Sequence, residues 1–229
     1  MNVAIIVAAG RGARAGAGAV KQFRELGGVP VVVHTLRRFE ECASVTETCL
    51  VLPASDAAGW AGLALRYDLR KLARVVAGGE SRTESVWRGL QTIDAATARV
   101  VAIHDGVRPL VTPAEIDATV RAAEATGAAV LVAPVTDTVK EVGGGLIKNS
   151  LPRERLRRAL TPQCFRYELL RRAYERALAE GLEATDDSAL VELLGVEVSA
   201  VEGDARNIKL TRAEDFALAE ILLRELGRD

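Results

Sequence analysis

From residue 8 to residue 24 the chain reads Ala-Ala-Gly-Arg-Gly-Ala-Arg-Ala-Gly-Ala-Gly-Ala-Val-Lys-Gln-Phe-Arg, directly after the apolar run Val3–Val7. Residues 11–24 include Arg11, Arg14, Lys21 and Arg24 and no acid. Glycines leaving a buried strand let backbone N–H groups come close to an anion, because no Cβ intervenes. Four cations on the same loop add charge attraction, so the segment reads as a phosphate cradle and points to nucleotide chemistry.

Residues 10–15 also satisfy the dinucleotide pattern G-x-G-x-x-A. That fold needs a helix at once and an acid about 20 residues on, at the end of the second strand. Here Gly16 and Gly18 prolong the loop and the second strand ends at Leu52-Pro53, so an NAD site is disfavoured. No Gly-Lys-Ser/Thr occurs, which excludes a Walker loop. The remaining alternative is a solvated surface loop.

A second candidate is His104-Asp105-Gly106-Val107-Arg108-Pro109, after the apolar run Val100–Ile103. Asp105 then lies at the carboxyl end of a strand, where open α/β sheets bind ligands. A single carboxylate there suits Mg²⁺, which fills its other positions with water and phosphate. A turn-closing role for Asp105 is equally compatible. Gly78-Gly79-Glu80-Ser81-Arg82 also follows a strand and opens a helix, with Ser85 one turn further in. Thr185-Asp186-Asp187-Ser188 reads as caps and dipole partners of a helix over 189–194. His34 reads as a packing histidine, and no Ser/His/Asp or Cys/His set supports covalent catalysis.

These residues need a scaffold, and the pattern supplies one. Apolar runs at Val3–Ala8, Thr48–Leu52, Arg74–Ala77, Val100–His104 and Ala128–Pro134 predict strands. Helical spacing over 31–41, 57–66, 82–93 and 113–126 fills the gaps, and a last helix spans about 212–226. Alternation of this kind predicts an α/β fold: a Rossmann-like, mostly parallel sheet with helices on both faces. Capping boxes are expected at Thr112–Glu115, Ser81–Glu84 and Thr211–Glu214. Val139–Val142, Gly143-Gly144-Gly145 and Leu146–Asn149 break the alternation and predict a protruding β-hairpin. Such a hairpin needs a packing surface, and a second copy of the chain is the natural one. The expected organisation is one domain over 1–229, with 136–153 as a dimerisation arm.

The 229 residues carry a net charge of −1, which argues against a general nucleic-acid or membrane-surface binder. Aromatic residues make up 4%, so base-stacking platforms are scarce. No apolar stretch reaches the ~20 residues of a membrane span. Cys42, Cys49 and Cys164 lack metal-ligand spacing and read as reduced thiols. No leader pattern opens the chain, so a cytoplasmic location is expected.

Taken in order, the motifs resemble the 2-C-methyl-D-erythritol 4-phosphate cytidylyltransferases. The residues carrying the resemblance are Ala8-Ala9-Gly10-x-Gly12-x-Arg14, Lys21-Gln22, Gly78-Gly79-x-x-Arg82-x-x-Ser85-Val86 and His104-Asp105-x-x-Arg108-Pro109. Ala133-Pro134-Val135-x-Asp137-Thr138-x-Lys140, Arg153, Thr161-Pro162-Gln163-x-Phe165, Thr185-Asp186-Asp187 and Asn207-Ile208-Lys209-x-Thr211 follow. The resemblance implies a nucleotidyltransferase-type fold and a CTP-dependent transfer. It implies catalytic roles for Arg14, Lys21, Arg153 and Lys209. It places the nucleotide on Ala8, Ala9, Gly10, Gly12, Gly78, Glu80, Arg82 and Ser85. It puts Mg²⁺ on Asp105, and the polyol phosphate on Asp105, Arg108, Thr138 and Thr161. It further implies a homodimer in which the arm brings Thr138 and Arg153 to the neighbour's site. The chain departs from many relatives at Val20 and Ala15, where proline and a larger residue are usual. A ribitol 5-phosphate cytidylyltransferase or a non-catalytic nucleotide-binding dimer are the competing readings. A fusion with a second pathway enzyme is not expected at this length.

Overall fold

In a computed structural model, residues 1–10, 21–60, 62–182 and 184–226 are described. The apolar runs become strands β1 (Asn2–Val7), β4 (Glu47–Leu52), β5 (Leu72–Ala77), β6 (Val100–Asp105) and β7 (Ala128–Pro134). Between β1 and β4 lie the two-residue strands β2 (Glu25–Leu26) and β3 (Val29–Pro30), then α1 (Val31–Glu41). Short turns α2 (Ala54–Ala57) and α3 (Leu63–Arg66), then α4 (Arg82–Leu90) and α5 (Pro113–Thr126), complete this part. The remainder comprises hairpin strands β8 (Val139–Gly143) and β9 (Leu146–Leu151), β10 (Arg157–Arg166) and α6 (Tyr167–Glu180). It closes with α7 (Asp187–Glu192), β11 (Ser199–Glu202) and α8 (Ala213–Leu226).

The described residues form a seven-stranded sheet of order β11-β7-β10-β6-β1-β4-β5. Every pairing is parallel except those of β10, which runs antiparallel between β6 and β7. Alternation along β1 divides the core. Ala4 and Ile6 face the layer of α1 and α5, built around Leu36, Phe39, Ile116 and Val120. Val3 and Ile5 face α4, α6 and α7, where Leu90, Leu170 and Tyr174 are buried. Parallel strands buried on both faces have no solvated side, which is why they read as continuous apolar runs.

Several expectations shift. The helix expected over 57–66 is broken into short turns around Gly59 and Gly62, residues that weaken a helix by about 1 kcal/mol each. The helix expected over 82–93 stops at Leu90, and α7 starts at Asp187, two residues before the expected position. Only Thr112 forms the full reciprocal capping box. Ser81 Oγ accepts from Glu84 N, but the Glu84 carboxylate reaches Glu80 N instead. At α8 it is Asp215, and not Glu214, whose carboxylate accepts from the N–H groups of Thr211 and Arg212. The strand β10, the helix α6 and the strand β11 lie outside the expected elements. The hairpin is present and lies outside the main sheet, with Val142, Leu146 and Ile147 more than 60% exposed.

Candidate active site

Register brings four strand ends to one edge. Val7 lies beside Val51 and Asp105, and Leu52 beside Ala77. The loops that follow are stitched to these ends: Ala8 N donates to Val51 O at 2.8 Å, Gly78 N to Leu52 O at 2.7 Å and Gly106 N to Val7 O at 2.8 Å. A cleft of about 650 Å³ opens there. Ala8, Ala9, Gly10, Lys21, Gly78, Glu80, Arg82, Ser85, Asp105 and Lys209 line it, as the sequence reading expects. Pro53, Arg88 and Val107 also line it and were not expected. Arg14 and Gly12 lie outside the described residues.

The two glycine loops are fitted to one another. A Cβ on Gly78 would stand 2.4 Å from the Ala9 Cβ, so only glycine allows this approach. Gly79 N donates to Ser85 Oγ at 3.1 Å, and Ser85 Oγ donates to Ser81 O at 2.8 Å. Arg88 ties the Gly78 carbonyl at 2.8 Å. On the other side Gln22 Nε2 donates to Ala8 O at 2.6 Å and Gly10 O at 3.2 Å, fixing both ends of the first loop's start. The result is a wall of fixed backbone beside Lys21.

The floor is a charge cluster centred on Asp105, which is 6% exposed. Its Oδ2 accepts from Arg108 Nε at 3.1 Å and pairs with Lys209 Nζ at 3.0 Å. Arg82 Nε stands 3.8 Å from Oδ1. Burial alone would push this carboxyl up; the charges of Lys209, Arg82 and Arg108 outweigh it and hold it well below the usual carboxylate range. Asp105 is therefore ionised throughout the neutral range. Behind it, Asp105 N donates to Thr161 Oγ1 at 3.2 Å, and Thr161 Oγ1 lies 3.0 Å from His104 Nδ1. His104 Nε2 is 3.2 Å from the Arg108 carbonyl, which can only accept, so Nε2 carries the proton and Nδ1 accepts from Thr161. Burial lowers His104 to about 4, so it stays neutral.

Thr161 and Arg108 thus sit differently from what the sequence suggested. Both touch Asp105, yet neither lines the cleft; Thr161 is buried and Arg108 also donates to Asn207 O at 2.8 Å. Thr138 and Arg153 are exposed beside the hairpin and do not line the cleft of their own chain. Arg153 donates to Thr136 O at 2.8 Å.

The sequence reading makes both acids of the 186–187 pair helix caps, and the structure gives that task to Asp186, whose Oδ1 accepts from Ala189 N at 3.0 Å. Asp187 is fully buried and takes both terminal nitrogens of Arg82, at 3.0 and 2.6 Å, together with the Tyr174 hydroxyl. Burial would lower the Arg82 guanidinium; Asp187 and then Asp105 outweigh it and raise it further above its ordinary value. No local pattern could reveal this pair, because 105 residues separate its members.

Among the described residues no cluster of three or more His, Cys, Asp or Glu could cage a metal ion. Asp105 Oδ1 accepts no hydrogen bond from them. One such hard oxygen on the floor of an anion site fits a divalent ion that arrives largely liganded by phosphate.

A sequence profile of the family described as 2-C-methyl-D-erythritol 4-phosphate cytidylyltransferase matches residues 2–225. The chain is 41% identical over 230 residues to the protein of that name from Acidobacterium capsulatum, covering 96% of each. It belongs to the 2-C-methyl-D-erythritol 4-phosphate cytidylyltransferase family. Solved structures agree. The 4-diphosphocytidyl-2C-methyl-D-erythritol synthase from Anaerococcus prevotii superposes with a TM-score of 0.86 at 30% identity, over 97% of this chain and 98% of that one. The 2-C-methyl-D-erythritol 4-phosphate cytidylyltransferase from Thermus thermophilus gives 0.79 at 34% identity, over 96% and 98%. Membership makes the chain an enzyme, a nucleotidyltransferase that acts on CTP and a sugar phosphate. In this cytidylyltransferase the cleft lies at the carboxyl edge of the mostly parallel sheet.

Proposed function

We propose that in this cleft the phosphate oxygen of 2-C-methyl-D-erythritol 4-phosphate attacks the α-phosphorus of CTP in line. Pyrophosphate leaves and 4-diphosphocytidyl-2-C-methyl-D-erythritol forms. A phosphate monoester is largely ionised at neutral pH, its second pKa being about 6, so the nucleophile needs no general base. Repulsion is the obstacle: two unit anions at about 4 Å repel by roughly 4 kcal/mol at an effective dielectric near 20. Positioning and cations must lower that barrier.

The chain's own residues divide the task. The start of the first loop (Ala8–Gly10), with Gly12, and the second loop (Gly78 to Ser85, including Glu80 and Arg82) hold the nucleotide. Lys21 and Arg14 neutralise charge at the α-phosphorus and on the departing pyrophosphate. Lys209, held in place by Asp105, orients the attacking phosphate. Asp105 would hold the magnesium ion, which screens triphosphate charge when bound. Arg108 and Thr161 act on substrate through Asp105, which both of them touch. Thr138 and Arg153 serve the cleft of a second subunit through the arm 136–153, so the enzyme works as a homodimer of single-domain chains, in the cytoplasm.

One observation carries this reading: two mutually fitted glycine loops and a fixed Asp105–Lys209 pair share one cleft edge with Lys21. Pyrophosphate release tests it, with four nucleoside triphosphates crossed against 2-C-methyl-D-erythritol 4-phosphate and ribitol 5-phosphate. Release is expected with CTP and the methylerythritol phosphate; preference for the ribitol compound would overturn the acceptor assignment.

A further inference from the structure

A fully buried carboxylate that does not line the cleft stands behind its floor. We infer that Asp187 is a positioning residue: by clamping both terminal nitrogens of Arg82 it keeps the guanidinium fork off Asp105, whose Oδ1 only the Nε approaches, at 3.8 Å, and so leaves this oxygen open to the cleft. The inference rests on nucleotidyl transfer taking place in this cleft.

Asp187 is not needed as a cap. Gln163 Oε1 accepts from the N–H groups of Asp187 and Ser188 at 3.0 and 2.9 Å, and Asp186 accepts from Ala189 N, so the first turn of α7 is satisfied. Among the described residues, the Asp187 carboxylate instead accepts from Arg82 Nη1, Arg82 Nη2 and the Tyr174 hydroxyl. A buried ion pair that served the fold alone could be replaced, both partners together, by apolar groups at little cost, whereas losing Asp187 alone leaves the Arg82 charge uncompensated. Arg82 spans the two acids: its fork faces Asp187 and its Nε is 3.8 Å from Asp105 Oδ1. Among the described residues the other acid paired with Arg82 is Asp105, whose Oδ2 is already taken by Arg108 and Lys209.

Charge makes the alternatives separable. Arg82, Arg108 and Lys209 face Asp105 and Asp187, so Asp187→Asn adds one net positive charge beside the anion site. An effect of charge alone would tighten CTP. A merely structural effect would lower Tm and leave the folded fraction with normal constants. Positioning instead lowers kcat without raising KM for CTP.

The test is steady-state pyrophosphate release and thermal unfolding for the unaltered enzyme, D187N, Y174F and D187N/R82Q, with a crystal structure of D187N. Activity of the unaltered enzyme checks the underlying reaction by itself. D187N is expected to lose about 10²-fold in kcat, the scale of a small misplacement at a reacting centre, with KM for CTP not raised. D187N/R82Q should recover about tenfold in kcat over D187N, because the competing guanidinium is gone, with KM for CTP raised because Arg82 also lines the nucleotide site. The D187N crystals should show the Arg82 fork on Asp105. A kcat near the unaltered value, a loss confined to KM, no recovery of kcat in the double variant, or an Arg82 fork still turned away from Asp105 would each overturn the inference. Should D187N fail to fold, Tyr174→Phe decides, since it removes one hydrogen bond to Asp187 with little change in volume: kcat should fall severalfold, and an unchanged kcat would overturn the inference.

Discussion

The floor of the cleft and the hairpin arm are built on opposite terms. Around Asp105 each neighbour is held by a second contact: Lys209 and Arg108 by the carboxylate, Thr161 by His104, and Arg82 by Asp187. The arm has one antiparallel pairing, surface contacts such as Lys140 to Ser150 and Asn149 to Glu141, and three exposed apolar side chains near its tip. A two-stranded hairpin is marginally stable on its own. The floor of the cleft is therefore pre-arranged within one chain, while the arm presents an apolar tip that nothing covers among the described residues.

The strongest way to break this comparison is at the wall. Lys21→Ala should lower turnover by about 10²- to 10³-fold with little change in Tm, since the loss is of charge aimed at the transition state. Pyrophosphate release and a melting curve check it; retained turnover would mean that charge does not build up beside Lys21. Next comes the arm. Leu146→Ser with Ile147→Asp should leave the chain's own stability within about 0.5 kcal/mol, because both side chains are exposed. Light scattering at micromolar concentration should nevertheless find monomers, with reduced activity. A persistent dimer would show that the arm is not what joins the subunits.

His104 sharpens the account of the floor. Its pKa is about 4 when folded, against an ordinary 6.5, with Asp105 and Arg108 the charged groups that face it. The unfolded chain therefore binds the extra proton first, so the stabilisation is complete above pH 6.5 and shrinks as pH falls towards 4. Between pH 7.5 and 5 this group alone should remove about 2 kcal/mol, read by urea unfolding and absent in His104→Gln. The smallest effect is the control far from the chemistry. Thr112→Ala on α5 should cost about 1 kcal/mol of stability and leave kcat unchanged.

Much of this could be read from residue order, and the failures have physical reasons. The strands β1, β4, β6 and β7 show as apolar runs because parallel strands buried on both faces leave no polar side. Helices α1 and α5 have the expected bounds. The strand β10 escaped because it opens on Arg157-Arg158, contains Pro162 and pairs with partners 23 to 66 positions away. Helix α6 was legible in principle, since Leu170, Ala173, Tyr174 and Ala177 share one buried face. The glycine loops and Asp105 were visible because tight turns and strand ends leave local marks. The Arg82–Asp187 clamp was not, because ion pairs between distant segments leave none.

The antiparallel strand β10 also limits how the chain can tolerate insertions and deletions. It is one unbroken segment from the root of the arm to Thr161 and Gln163, and its pairing with β7 shifts register between Ala159 and Gln163. Residues gained or lost in the turn between β8 and β9 leave β10 in register. One gained or lost between 160 and 163 would slide Thr161 off His104 and Gln163 off α7 in a single slip. Length variation among descendants of this sequence should therefore gather on the arm side of that boundary and stop abruptly at it.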